Sequence, residues 1–289
     1  MKAPPFQYHR PQTREELGTL LSSLENAKIL AGGQSLMPMM NLRVLAPDHL
    51  IDINRIPGLA GIRETPEGIE IGAMTRQADI LSSDVVKARL PLLSRALEHV
   101  GHIQTRARGT IGGSCCHLDP SAEQPAMCAI LDAEFIVTRP DGHRIVPASE
   151  WFEGLLQSAL GEQEFLEAIR IKPWAKGHGY GFAEYARRHG DFAIAGGAAL
   201  IEASKDGRIT RAALLSFGIE ASPRRLSDAE AALIDQPIGK LDLEPAVAAA
   251  RALDAMEDVH VTPDYRRHLA GVLIRRALNE ACTTLERQP

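Results

Sequence analysis

The sequence predicts an α+β fold in three segments, residues 1–57, 58–176 and 177–289. A capped helix leading through a strand into a glycine loop marks the first. Strand signals dominate the second, and strands followed by helices mark the third. In the first segment Thr13-Arg-Glu-Glu16 is a capping-box pattern, in which the threonine hydroxyl satisfies an N–H that the first helical turn leaves free. It starts a helix running through about Ser23. The strand Lys28–Leu30 follows, giving a small βαβ-type unit.

In the second segment Gly68–Ile71 is a strand, with helices near Thr75–Leu81 and Pro91–Val100. Glu134–Thr138 and His143–Val146 flank Pro140-Asp-Gly142, whose residues favour a tight turn, so the stretch is a hairpin. A further strand covers Glu164–Ile171. Lys176-Gly-His-Gly-Tyr-Gly181 lacks the third glycine of a dinucleotide fingerprint and reads as a hinge. Beyond it, Tyr180–Arg187, Ala195–Ala203 and Ile209–Ile219 are strands, the last two joined at Lys205-Asp-Gly207. Helices Ser227–Ile234, Glu244–Met256 and Pro263 to about Leu285 follow, the last capped by Thr262 with Pro263 where a missing N–H costs nothing.

At 289 residues and 45% hydrophobic, the chain can bury a large core in two or three subdomains. It contains no long unbroken apolar run, and Met1-Lys-Ala-Pro-Pro-Phe-Gln7 lacks the apolar centre of a secretory signal, so no membrane span and a cytoplasmic location are expected. A net charge of −5 without a basic block, and 4% aromatic residues, argue against nucleic acid as a partner. Cys115, Cys116, Cys128 and Cys282 show no C-x-x-C spacing, so the chain is expected to hold no zinc or iron–sulfur cluster of its own. His99 and His102 have helical i, i+3 spacing, but Gly101 interrupts them and a helix end is the better reading than a metal site.

Two glycine loops carry the chemistry: Ala31-Gly32-Gly33-Gln34-Ser35 and Thr110-Ile111-Gly112-Gly113-Ser114. Glycine lets backbone approach an anion closely, so consecutive N–H groups and the hydroxyls of Ser35, Thr110 and Ser114 suit one pyrophosphate cradle. Neither loop is a Walker loop or opens a Rossmann unit, which points to a dinucleotide bound outside those folds.

With their flanks, the loops resemble a known family. Ala31 to Arg43, Asp52-Ile53, Gly101-His-Ile-Gln104, Arg108 to Ser114, His117-Leu-Asp-Pro-Ser-Ala-Glu123 and Gly190-Asp-Phe192 are similar in order and spacing to the medium, FAD-binding subunit of molybdenum hydroxylases, from about Pro5 to about Ala281. The resemblance implies a two-part FAD-binding domain of the vanillyl-alcohol oxidase (PCMH) type, followed by a C-terminal domain of a three-stranded sheet plus helices. It implies noncovalent FAD with its diphosphate on Ala31–Leu36 and Thr110–Ser114. His117, Asp119 and Glu123 would lie beside the ribityl chain and ring, Gly101 near the ring, and Leu166 against the flavin. Phe192, where relatives have tyrosine, would cover one face. No residue of the chain is implied to be catalytic. The implied partners are a molybdopterin-binding large subunit and a [2Fe-2S] small subunit, in a dimer of heterotrimers. The implied role is electron transfer from the [2Fe-2S] subunit to an external acceptor; a self-contained flavin oxidoreductase is the alternative.

Three points stay open in the sequence. Asp119 suits either a flavin contact or a cap on the turn at Pro120. Cys115 and Cys116 read as packing behind the flavin, with a redox-active vicinal pair as the sharper reading. Glu184 replaces a lysine of relatives and lies either near the ring, opposing an anionic reduced flavin, or in solvent.

Overall fold

The structure, a computed structural model, describes residues 1–259 and 261–286, so the end of the third segment, residues 287–289, lies outside it. The first segment holds β1 (Gln7–His9), α1 (Arg14–Ser23), β2 (Ala27–Leu30), α2 (Leu36–Asn41) and β3 (His49–Asp52). The three strands form a parallel sheet in the order β1-β3-β2, so the βαβ unit is present. Thr13 caps α1 by accepting the Glu16 N–H at 3.2 Å, and Glu16 in turn accepts the Gln12 N–H at 2.6 Å. Leu17 and Leu21 of α1 pack with Ile51, Ile53 and Phe165 in a small core of their own.

The second segment contains β4 (Ile62–Thr65), β5 (Gly68–Gly72), α3 (Gln77–Ser82), α4 (Asp84–Arg89), α5 (Pro91–Leu97), α6 (Ile103–Arg108), α7 (Ile111–His117) and α8 (Glu123–Ile130). It continues with β6 (Glu134–Arg139), β7 (Gly142–Pro147), the two-stranded ribbon β8 (Phe152–Gly154) and β9 (Gln157–Ser158), and β10 (Phe165–Ile171). A five-stranded antiparallel sheet runs β4-β5-β10-β6-β7, with β6 and β7 the expected hairpin. Phe135 stacks on the fully buried Trp151 at 4.0 Å, and the Trp151 indole donates to the Cys115 carbonyl at 2.8 Å. Short helices α2, α6, α7 and α8 were not visible in the sequence. Each has at most eight residues and carries glycine, proline or β-branched residues, so apolar periodicity has no room to show.

The third segment holds β11 (Gly179–Ala186), β12 (Ala193–Ala203), β13 (Ile209–Phe217), β14 (Arg224–Arg225), α9 (Ser227–Leu233), α10 (Glu244–Arg251) and α11 (Pro263–Glu286). Its antiparallel sheet, β11-β12-β13-β14, has one short strand more than expected. The sheet is a central layer. One face packs under α11 through Ala199, Ile201 and Leu214, and the other joins the main core of the second segment through Phe182, Ala198, Leu215 and Phe217. Two glycines of the supposed hinge are therefore structural. A Cβ on Gly179 or Gly181 would overlap the Ala281 or Ala277 carbonyl of α11, so glycine lets helix and sheet come into backbone contact.

Candidate functional site

A cleft of about 1630 Å³ opens where the carboxyl end of β2, helix α7, strand β10 and the turn before β12 meet. Every candidate residue except Ile111 borders it: Ala31–Leu36, Gly101, Thr110, Gly112, Gly113, Ser114, His117, Asp119, Glu123, Leu166 and Phe192. Ile111 instead points into the main core and is fully buried.

The first loop leaves β2 with Gly33 at φ +73°, a left-handed backbone that favours glycine. A Cβ on Gly32 would overlap the Arg108 carbonyl oxygen and stand 2.8 Å from Gly109 Cα, so the first loop lies directly against the approach to the second. From Gly32 through Leu36, no backbone N–H has a protein acceptor among the described residues. These residues are half-buried or, at Gln34, exposed, and a row of consecutive donors without a protein acceptor along the wall of a cleft suits an acceptor-rich ligand. The loop is braced from behind: Asn54 donates to the Ala31 carbonyl at 2.8 Å, and Arg76 donates to Asn54 Oδ1 at 2.6 Å and to the Arg108 carbonyl. These braces were not among the expected residues, although Asn54 follows the quoted Asp52-Ile53 directly.

The second loop departs from expectation. It is the start of a helix, with Thr110 as cap, and its N–H groups are already committed. Ile111 donates to the Thr75 carbonyl at 3.2 Å, Gly112 to the Ala73 carbonyl at 2.9 Å, Gly113 to Thr110 Oγ1 at 3.1 Å and Ser114 to the Thr110 carbonyl at 3.1 Å. Its glycines serve packing: a Cβ on Gly112 would stand 2.5 Å from Ala73 Cβ, and one on Gly113 would stand 2.8 Å from the capping Thr110 Oγ1. The backbone donors thus come from the first loop, and the second adds the Ser114 hydroxyl and a close helix wall.

Farther along the cleft, Asp119 Oδ1 accepts the Ser121 N–H at 2.9 Å, so its side chain caps the turn while bordering the cavity. Leu166 is both core and wall, presented beside a bulge between Leu166 and Ala168 that turns β10. Phe192 is 70% exposed at the mouth. The turn before it is fixed by Gly190, at φ +87°, where a Cβ would lie 2.6 Å from His102 Cε1, so His102 packs against that turn. Burial pushes the Cys116 thiol up to about 12, and the Cys115 thiol, also raised by burial, lies 3.7 Å from Cys128 rather than facing Cys116. Cys115 is buried in the core, while Cys116 borders the cleft.

Two carboxyls stand out. Burial, then the Asp119 charge, pushes Glu123 up to about 7. Burial, then the Glu123 charge, pushes Glu184 up to about 8. Glu184 fits neither expected position. Its side chain is only 4% exposed, it does not border the cleft, and its Oε1 lies 3.9 Å from His99 Nδ1.

The cavity exceeds the roughly 300–1,000 Å³ of common small-molecule sites. With a donor row at one end and apolar and titratable groups at the other, fold and site define a dinucleotide-binding protein. The chain matches the FAD binding domain in molybdopterin dehydrogenase over residues 4–174 and the CO dehydrogenase flavoprotein C-terminal domain over 180–281. It is 39% identical to the carbon monoxide dehydrogenase medium chain of Hydrogenophaga pseudoflava, covering 97% of this chain and 98% of that one. It is 37% identical to the 6-hydroxypseudooxynicotine dehydrogenase complex subunit alpha of Paenarthrobacter nicotinovorans, covering 97% and 96%. A solved carbon monoxide dehydrogenase from Hydrogenophaga pseudoflava superposes with a TM-score of 0.95 at 40% identity, covering 98% of this chain and 99% of that one. The chain belongs to the FAD-binding medium-subunit family of molybdenum hydroxylases, oxidoreductases of the xanthine dehydrogenase family. Among the described residues no helix is long and apolar enough to cross a membrane.

Proposed function

We propose that this chain is the electron-transfer subunit of a cytoplasmic molybdenum hydroxylase complex. The cleft would hold FAD noncovalently, and FAD would supply the chemistry that links single-electron delivery by a [2Fe-2S] small subunit to two-electron release to an external acceptor. A molybdopterin-binding large subunit oxidises the substrate, and the complex is a dimer of heterotrimers. Relatives named as a medium chain and a complex subunit support partner subunits. The observation that carries the cofactor reading is the row of unpaired N–H groups from Gly32 to Leu36 on the cleft wall.

This chain's residues bind and orient. The Gly32–Leu36 amides and the Ser114 hydroxyl would hold the diphosphate, Leu166 and Phe192 would give apolar surface to the ring, and His117 and Glu123 would supply polar contacts. The test is anaerobic addition of substrate to the purified complex and to the isolated chain, followed at the flavin absorption band. The complex bleaches and the isolated chain does not. Turnover by the isolated chain would instead identify a self-contained flavin oxidoreductase.

A further inference from the structure

The parallel sheet of the first segment ends in a second cavity, of about 560 Å³, which shares no lining residue with the flavin cleft except Ala31–Gln34. Strand register brings its residues together. His9 of β1 lies opposite Ile51 of β3, and Leu30 of β2 lies opposite Asp52, so Arg10, Asp52 and Ala31 emerge side by side at the carboxyl ends of the three strands. Ligands commonly bind at that edge of a parallel sheet. Arg76 and Arg108 close the cavity from the second segment.

Three arginines, Arg10, Arg76 and Arg108, line this cavity with a single carboxylate, Asp52, in a chain whose net charge is −5. Asp52 contacts none of the three guanidinium groups. Its Oδ1 accepts the Asn54 N–H at 2.8 Å and the Asn54 side-chain amide at 2.7 Å, while its Oδ2 accepts the Tyr8 hydroxyl. Among the described residues none of the three arginines makes an ion pair. Arg76 is nevertheless held in place, donating to Asn54 Oδ1 at 2.6 Å and to the Arg108 carbonyl, and its guanidinium keeps further donors to offer. Burial, then the Arg108 charge, holds Arg76 below its ordinary value, with Asp79 and Asp52 opposing.

We propose that this cavity is a second anion site, which takes the phosphate monoester of a small organic molecule. Guanidinium forks match phosphate oxygens two at a time, and a phosphate monoester, nearly a dianion at neutral pH, balances the excess of arginine over carboxylate. The body of the ester has its own place. The cavity falls within the roughly 300–1,000 Å³ of common small-molecule sites, far more than a bare phosphate fills, and Leu30, Met37 and Pro38 add apolar surface to its wall. The proposal goes beyond the flavin reading, since none of the three arginines borders the flavin cleft.

The test is calorimetric titration of the full chain carrying FAD with ribose 5-phosphate, inorganic phosphate and ribose. Ribose 5-phosphate should bind saturably and more tightly than inorganic phosphate, and ribose should not bind. Arg10→Gln and Arg108→Gln, both at exposed arginines, should each weaken the ester by ~10-fold or more with flavin content unchanged. Arg188→Gln removes the same charge at an exposed position outside both cavities and should leave binding within ~2-fold. No saturable binding overturns the site, and so does equal weakening by all three variants, which would reflect general attraction of anions. Inorganic phosphate binding as tightly as the ester overturns the ester assignment. Binding seen only in the flavin-free chain and displaced by FAD, or loss of FAD from Arg10→Gln and Arg108→Gln, would assign these arginines to the flavin and overturn a second site. A chain that takes up no FAD overturns the functional reading instead, and the same titrations of the flavin-free chain and its variants then decide the cavity.

Discussion

Gly32 and Arg108 are in backbone contact: a side chain on Gly32 would occupy the space of the Arg108 carbonyl oxygen. This contact joins the donor loop of the parallel sheet to the capped helix of the second segment, and one wall of the cleft is the result. Gly32→Ala should therefore push the first loop away from Arg108 and weaken FAD retention by ~10-fold or more, at a stability cost of about 1–3 kcal/mol. The absorbance ratio of flavin to protein, with thermal unfolding of the flavin-free chain alongside, checks both parts.

Gly112 separates packing from ligand contact. Its N–H is committed to the Ala73 carbonyl and its α-carbon faces Ala73, so Gly112→Ala should lower stability by about 1–3 kcal/mol in the absence of flavin. Ser114→Ala should do the reverse, leaving stability within about 0.5 kcal/mol and weakening FAD binding. Denaturant unfolding and FAD titration of the two variants should show opposite patterns.

Much of this was legible in the sequence. The Thr13 cap, the Lys28–Leu30 strand, the Pro140-Asp-Gly142 hairpin and the long Pro263 helix rest on local rules, and the structure has all of them. The glycine motifs and their flanks marked the cleft wall because they lie within short contiguous stretches. What stayed hidden depends on distant partners. Thr110-Ile-Gly-Gly-Ser114 reads as a loop, since glycines disfavour helix, but its N–H groups find acceptors at Ala73 and Thr75. Gly179 and Gly181 read as a hinge until α11 lies on them. The burial of Glu184 likewise needs the third segment to close over α5 and α8, which no local pattern announces.

The buried carboxyls make stability depend on pH. Glu123 and Glu184 hold their protons in the folded chain to about 7 and about 8, above the ordinary carboxyl range, so between that range and those values the folded state binds more protons than the unfolded one. Stability from these groups is then full at low pH and is lost as pH rises through about 7 to 8. Glu184→Gln removes that loss at one site. The melting temperature of the flavin-free variant should gain on the wild type as pH rises from about 5 to about 9, measured by calorimetry. A constant difference across that range would mean that Glu184 does not titrate there.

Phe192 projects from the mouth with most of its surface exposed. Phe192→Ala should change stability by less than about 0.5 kcal/mol. Bound flavin should become more open to solvent, seen as faster quenching of its fluorescence by iodide. Unchanged quenching would place Phe192 away from the ring.

The central claim is that the Gly32–Leu36 amides hold the diphosphate of FAD. Calorimetric titration of the flavin-free chain with FAD and with FMN tests it most directly, since FMN carries the ring and one phosphate but no diphosphate bridge. Charge-assisted hydrogen bonds contribute about 1.5–3 kcal/mol each, so FAD should bind ~100-fold more tightly than FMN, and Gly32→Ala should narrow that gap. Equal affinities for FAD and FMN, or a gap untouched by Gly32→Ala, would contradict the account.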